Sequence, residues 1–82
     1  MKQNAPIEAY EIRTNKGASY RLDAKQAIRF ALSIVETYYP PEEPNNFDEL
    51  LSELQSRGIA YARYEDFIGG MNYISIKRIE IL

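Results

Sequence analysis

The chain has no cysteine and no histidine. Without cysteine there is no disulfide framework, no thiolate zinc site and no redox couple. Without histidine the commonest general base and the commonest imidazole metal ligand are gone as well. Catalysis would have to run on carboxylates, lysine, tyrosine or arginine. A chain of 82 residues also has little room to enclose the mostly apolar pocket that small-molecule sites favour. These absences point away from an enzyme, and no cofactor or metal is expected. Long apolar runs are missing too. The longest uncharged apolar stretch in the central segment covers 30–35, far short of the ~20 residues that span a bilayer. No hydrophobic run follows Lys2 to make a secretion signal. The expected setting is a reducing cytoplasm, away from membranes.

A further absence concerns one sign of charge. Between positions 30 and 56 there is no lysine or arginine, whereas Glu36, Glu42, Glu43, Asp48, Glu49 and Glu53 all fall there. All ten cations lie in the two flanks, together with the other six acids. The centre of the chain is therefore strongly acidic and the flanks mildly basic, a lopsidedness hidden by the net charge of −2. Acidic surfaces of this kind attract basic partners. The 45% hydrophobic and 27% charged content fits a folded globular chain rather than a disordered one, and the length suits one domain over 1–82.

What is present reads as six elements. Residues 7–13 and 18–22 alternate in polarity, and Asn15-Lys16-Gly17 suits a three-residue hairpin loop with glycine at the position of positive φ. That loop pairs Thr14 with Ala18, places Ile12 opposite Tyr20 and Tyr10 opposite Leu22, and sets Glu11 against Arg21. Asp23 caps a helix predicted over 24–39, with Gln26 three positions on. Its apolar arc is broad, and Pro40-Pro41 stops it because neither can donate a backbone hydrogen bond. After a stiff acidic connector, Asn46 caps a second helix whose stripe is Phe47, Leu50, Leu51 and Leu54. Arg57 favours its carboxyl end and Gly58 ends it in the left-handed conformation. Two strands follow, over 59–67 and 73–82, joined around Gly69-Gly70. In the last strand Ile74 and Ile76 have the opposite parity to Ile79 and Ile81. Either a bulge near Lys77 brings both pairs to one face, or the ribbon buries its two ends differently. The fold class is α+β: a two-layer ββααββ domain with a four-stranded, mainly antiparallel sheet and both helices on one face.

The candidate binding residues are Glu36, Tyr39, Glu42, Glu43, Asp48, Glu49 and Glu53. The acids have no interleaved cation to neutralise them along a helix, and aromatic neighbours are favoured at the centre of interfaces. Read blandly, the same residues are a solvated face that keeps a small protein soluble. The oxygen donors around Glu42–Glu49 lack the glycine and the spacing of an EF-hand, so they do not make a calcium loop. Tyr61, Tyr64 and Tyr73 with Arg63, Lys77 and Arg78 could form a sheet surface for stacking bases, but the net negative charge weighs against nucleic acid as the partner. The carboxyl-terminal strand reads as core; at a sheet edge it would instead offer a route to a homodimer. The expected function is that of a small non-enzymatic binding protein, an inhibitor or antagonist that occludes a basic, nucleic-acid-binding surface of a partner protein. Its size and charge are those of phage-encoded anti-defence proteins such as anti-CRISPRs, and of antitoxins and immunity proteins. No motif ties it to one of these families.

Overall fold

The computed structural model describes residues 7–38, 44–66 and 68–81, and the backbone alone of Ile81. The elements are β1 (Ile7–Thr14), β2 (Gly17–Arg21), α1 (Ala24–Val35), α2 (Phe47–Arg57), β3 (Ile59–Glu65) and β4 (Met71–Ile81). The four strands form one antiparallel sheet in the order β2-β1-β4-β3. The two terminal segments of the chain thus supply the central strands, and β4 lies between β1 and β3. Its interior position closes the edge-pairing route to a homodimer that an outer carboxyl-terminal strand would have offered.

Register assigns every strand residue to a face, because side chains alternate along each strand. Ile12 is directly opposite Ile76, which is opposite Ala60; Ile74 is opposite Ala62. These five are buried and form one core with Ala27, Ile28, Ala31 and Val35 of α1 and Leu50 and Leu54 of α2. Both helices therefore cover the same side of the sheet. Each fully buried isoleucine or leucine in such a layer contributes about 1.5–3 kcal/mol by leaving water.

The helix ends follow the local chemistry that the sequence announces. The Asp23 carboxylate accepts a hydrogen bond from the Gln26 amide at 3.1 Å, and the Asn46 side chain accepts one from the Glu49 amide at 3.0 Å. Gly58 ends α2 with φ +77°, its amide donating to the Leu54 carbonyl at 3.0 Å. α1 is shorter than the periodicity predicts, stopping at Val35 rather than at position 39. Glu36 caps it, and Thr37 and Tyr38 turn back with amide bonds to the Ile34 and Val35 carbonyls at 3.0 Å each. The Thr37 hydroxyl also donates to the Ile34 carbonyl at 2.7 Å. These three-residue bonds tighten the chain and free Tyr38 to stack on Tyr64, ring centroids 4.4 Å apart.

The first hairpin differs from the sequence reading by one residue. Thr14 pairs with Gly17, not Ala18, across a two-residue turn at Asn15-Lys16. The turn is secured by the Lys16 amide donating to the Thr14 hydroxyl at 3.1 Å, and Gly17, at φ +129°, joins the strand. Such a slip moves each β2 side chain to the other face. Ile12 is then opposite Ser19 and Tyr10 opposite Arg21, and Glu11 is opposite Tyr20. Tyr20 becomes half exposed on the uncovered side, while the Arg21 guanidinium lies 4.1 Å from the centre of the Phe30 ring. In β4 the register runs unbroken from Met71↔Glu65 to Ile81↔Ile7. There is no bulge at Lys77: Ile74 and Ile76 occupy one face and Ile79 the other.

The second hairpin is tied by Asp66. Its carboxylate accepts from the amides of Ile68 (3.1 Å) and Gly70 (2.7 Å) and from the Asn72 side chain (3.0 Å). A side chain at position 70 would bring its Cβ to 2.8 Å from Asp66 Oδ2, so the carboxylate would have to shift and strain these bonds. No helix among the described residues is long and apolar enough to cross a membrane.

The outer edge of β3 is closed by a residue outside any helix or strand. The Asn45 amide donates to the Arg63 carbonyl at 2.8 Å, and its oxygen accepts from the Arg63 amide at 2.9 Å. One side chain thus imitates a strand neighbour and blunts an exposed edge. Replacing Asn45 by Ala is expected to lower stability by about 1–3 kcal/mol, the net worth of two such bonds. Chemical denaturation measures it; an unchanged midpoint would show that the edge does not need this contact.

Candidate functional site

The described acids of the central segment all lie on the solvent side of the helical layer. Glu36 is the C-cap of α1; Asp48 and Glu49 occupy the first turn of α2, and Glu53 follows Glu49 by four residues. At that spacing Glu49 and Glu53 are neighbours on one helix face. The four side chains belong to exposed residues, and none forms an ion pair with a described cation. Tyr39, Glu42 and Glu43, the remaining residues of the expected site, lie outside the described residues.

Two cations on this side, Arg29 and Arg78, are directed elsewhere, and Arg57 stands one turn beyond Glu53 on α2 without an ion pair between them. Arg29 of α1 lies 5.7 Å from the centre of the Phe47 ring at the start of α2. Arg78 of β4 reaches over the far end of α2 and donates to the Gln55 carbonyl at 3.3 Å. Asp48 and Glu49 have a local role as well, since carboxylates near a helix N-terminus stabilise the exposed amides there. Glu36 and Glu53 have no such role. Among the described residues no group of three or more aspartates and glutamates comes close enough to hold a metal ion.

The opposite side of the sheet is uncovered, and the sequence alone could not assign it. It carries Ile7, Ala9, Glu11 and Arg13 of β1, Tyr20 of β2, Tyr61 and Arg63 of β3, and Met71, Tyr73, Lys77 and Ile79 of β4. Ile7, Tyr20, Tyr61, Met71 and Tyr73 are each about half exposed. The Tyr61 and Tyr73 rings meet edge to face, centroids 6.3 Å apart. Tyr64 and Arg78, grouped with them by sequence, belong to the helix side instead. Tyr64 is buried, and its hydroxyl is pushed above the usual tyrosine range, first by burial and then by Tyr38 and Asp66. The basic and aromatic patch that the sequence allows as an alternative site for base stacking is thus divided between two faces.

At the centre of the open face Glu11 is held by its neighbours. It pairs with Arg13 at 3.2 Å and accepts from the Tyr20 hydroxyl at 3.2 Å, with Lys77 opposite it on β4. This, rather than Arg21, is the cross-strand company of Glu11. The Arg13 hydrogen bond holds its carboxyl below the usual range. Asp66 is likewise lowered, chiefly by the Gly70 amide.

No family model matches this chain, and no curated protein or solved structure is significantly similar to it.

The two lowered carboxyls fix the sign of an acid response. A depressed folded-state pKa gives stability that is complete above the unfolded value, about pH 4, and lost as the pH falls through the folded value. The melting temperature is therefore expected to decline as the pH drops from about 5 to about 2. Asp66→Asn is expected to start lower at neutral pH and to decline less steeply. A variant with the same acid slope as the parent would remove Asp66 from this account.

Proposed function

We propose that this protein acts by binding rather than by chemistry, and that its acidic helical layer docks on a basic surface of a partner protein. The observation that carries this reading is the exposure of Glu36, Asp48, Glu49 and Glu53 without a described cation within ion-pair distance. An acid clasped by an arginine, as Glu11 is by Arg13, has part of its charge met within its own chain. These acids keep their field, which steers a basic partner and raises its rate of encounter. Glu42 and Glu43 belong to the same sequence window and extend the charge. A partner whose basic surface normally holds nucleic acid would be occluded by this layer, and the protein would then serve as an antagonist of the kind that phage anti-defence proteins, antitoxins and immunity proteins represent.

Reversing Glu42, Glu43, Asp48 and Glu49 to lysine tests this. Reversal at positions 48 and 49 costs the α2 terminus about 0.3–1 kcal/mol each, so circular dichroism must first show that the variant is folded. The parent is expected to retain a partner from a source lysate in a salt-sensitive manner, and the folded variant to lose it. Equal capture by both, or capture indifferent to salt, would refute the proposal.

A further inference from the structure

We infer that the uncovered sheet face is the docking surface for a second copy of this chain, packed sheet against sheet about a two-fold axis. The axis runs along the strands, between β1 and β4. Of the seven large hydrophobic residues exposed among the described ones, five (Ile7, Tyr20, Tyr61, Met71 and Tyr73) lie on this face, and Leu22 and Ile68 lie in connections between elements. An apolar patch gathered on one side of a small soluble chain marks an interaction surface. The other large face is the acidic helical layer, where two copies would repel each other.

The register shows why the occupant is the same chain. A rotation about that axis exchanges the columns β1 and β4 while keeping each residue at its own level along the strands. Every β1 residue therefore meets, on the second copy, the β4 residue that is its own cross-strand partner. Those partners are complementary. Glu11 is paired with Lys77, so the rotation sets Glu11 of each copy over Lys77 of the other. Ala9 is paired with Ile79, a small residue with a large one. Arg13 is paired with Ser75, so the arginine meets a hydroxyl rather than a like charge. Two sheets related in this way keep their strands roughly aligned, the common geometry for face-to-face packing at a separation of about 10 Å.

The extent of the face fits such a contact. Four strands about 4.8 Å apart and about seven residues long at about 3.3 Å each present roughly 400 Å² in flat projection. Side-chain relief raises this towards the ~600 Å² per partner at the lower end of specific interfaces. The dimer would expose a helical layer on each side, so both acidic surfaces remain outward. It stands independently of what those surfaces bind.

The exchange of Glu11 and Lys77 across the axis makes the test intermolecular. Sedimentation equilibrium of the parent at micromolar concentration is expected to give a dimer. Glu11→Lys and Lys77→Glu, each alone, set like charges against each other and should weaken self-association at least tenfold. Mixing the two variants should restore a one-to-one heterodimer, since each lysine then faces a glutamate. A third variant, Tyr61→Lys on the half-exposed edge strand, should also be monomeric while folded, and covers the case that Glu11→Lys disturbs its bond with Arg13. A monomeric parent, variants that remain homodimers, or no heterodimer on mixing would overturn the inference. A monomeric parent that binds a mixed single-stranded oligonucleotide, and loses it in Tyr61→Lys, would give the face to nucleic acid instead.

Discussion

The structure depends on a single apolar sandwich between one side of the sheet and the two helices. Ile12, Ile74 and Ile76 from the central strands meet Ile28 of α1 and Leu54 of α2, and all five are essentially removed from water. Small residues complete the layer: Ala60 and Ala62 beneath, Ala27 and Ala31 above. With no side chain beyond Cβ, the alanines let the helices approach the sheet closely, and the large residues fill the space between. In a chain this short one such layer is all that can be built. The other side of the sheet is left without a cover, and that single fact produces the two unlike surfaces of the molecule.

Those surfaces differ in chemistry as well as in shape. The helical layer shows carboxylates to solvent, while three arginines on that side are occupied with rings and backbone: Arg21 with Phe30, Arg29 with Phe47, Arg78 with the end of α2. The uncovered sheet instead mixes half-exposed tyrosines and aliphatics with a central charged group, Glu11 between Arg13 and Lys77. An acidic outer layer and a nearly neutral, apolar reverse side suit a protein that assembles through one side and presents the other.

Much of the fold was legible because local chemistry and hydrophobic period agreed. Asp23, Asn46 and Gly58 each announce a helix end by a side-chain bond or a left-handed turn that few other residues provide. The order of elements and the α+β class followed from them. The β1–β2 register was not legible to within one residue. Turn lengths of two and three residues both accommodate Asn15-Lys16-Gly17, and the choice reverses the face of Tyr20. The end of α1 at Val35 was not legible either. The aromatic run at Tyr38 continues the helical arc on paper, but the ring is used against Tyr64 of β3. Asn45 gave no signal at all, since its bonds to Arg63 span eighteen positions. Of the binding site, the acidity of the segment was plain from composition. Which sheet face lies open depends on strand order, a long-range property that no local pattern reports.

The central claim is that the acidic helical layer is the side that meets a basic partner. Amide chemical shifts recorded while a lysine-rich peptide is added at low salt would test it directly. The account predicts shifts concentrated at Glu36, Asp48, Glu49 and Glu53, reversed by added salt, with Tyr20, Tyr61 and Tyr73 unmoved. Perturbation centred on those tyrosines, or spread evenly over both sides of the molecule, would contradict it.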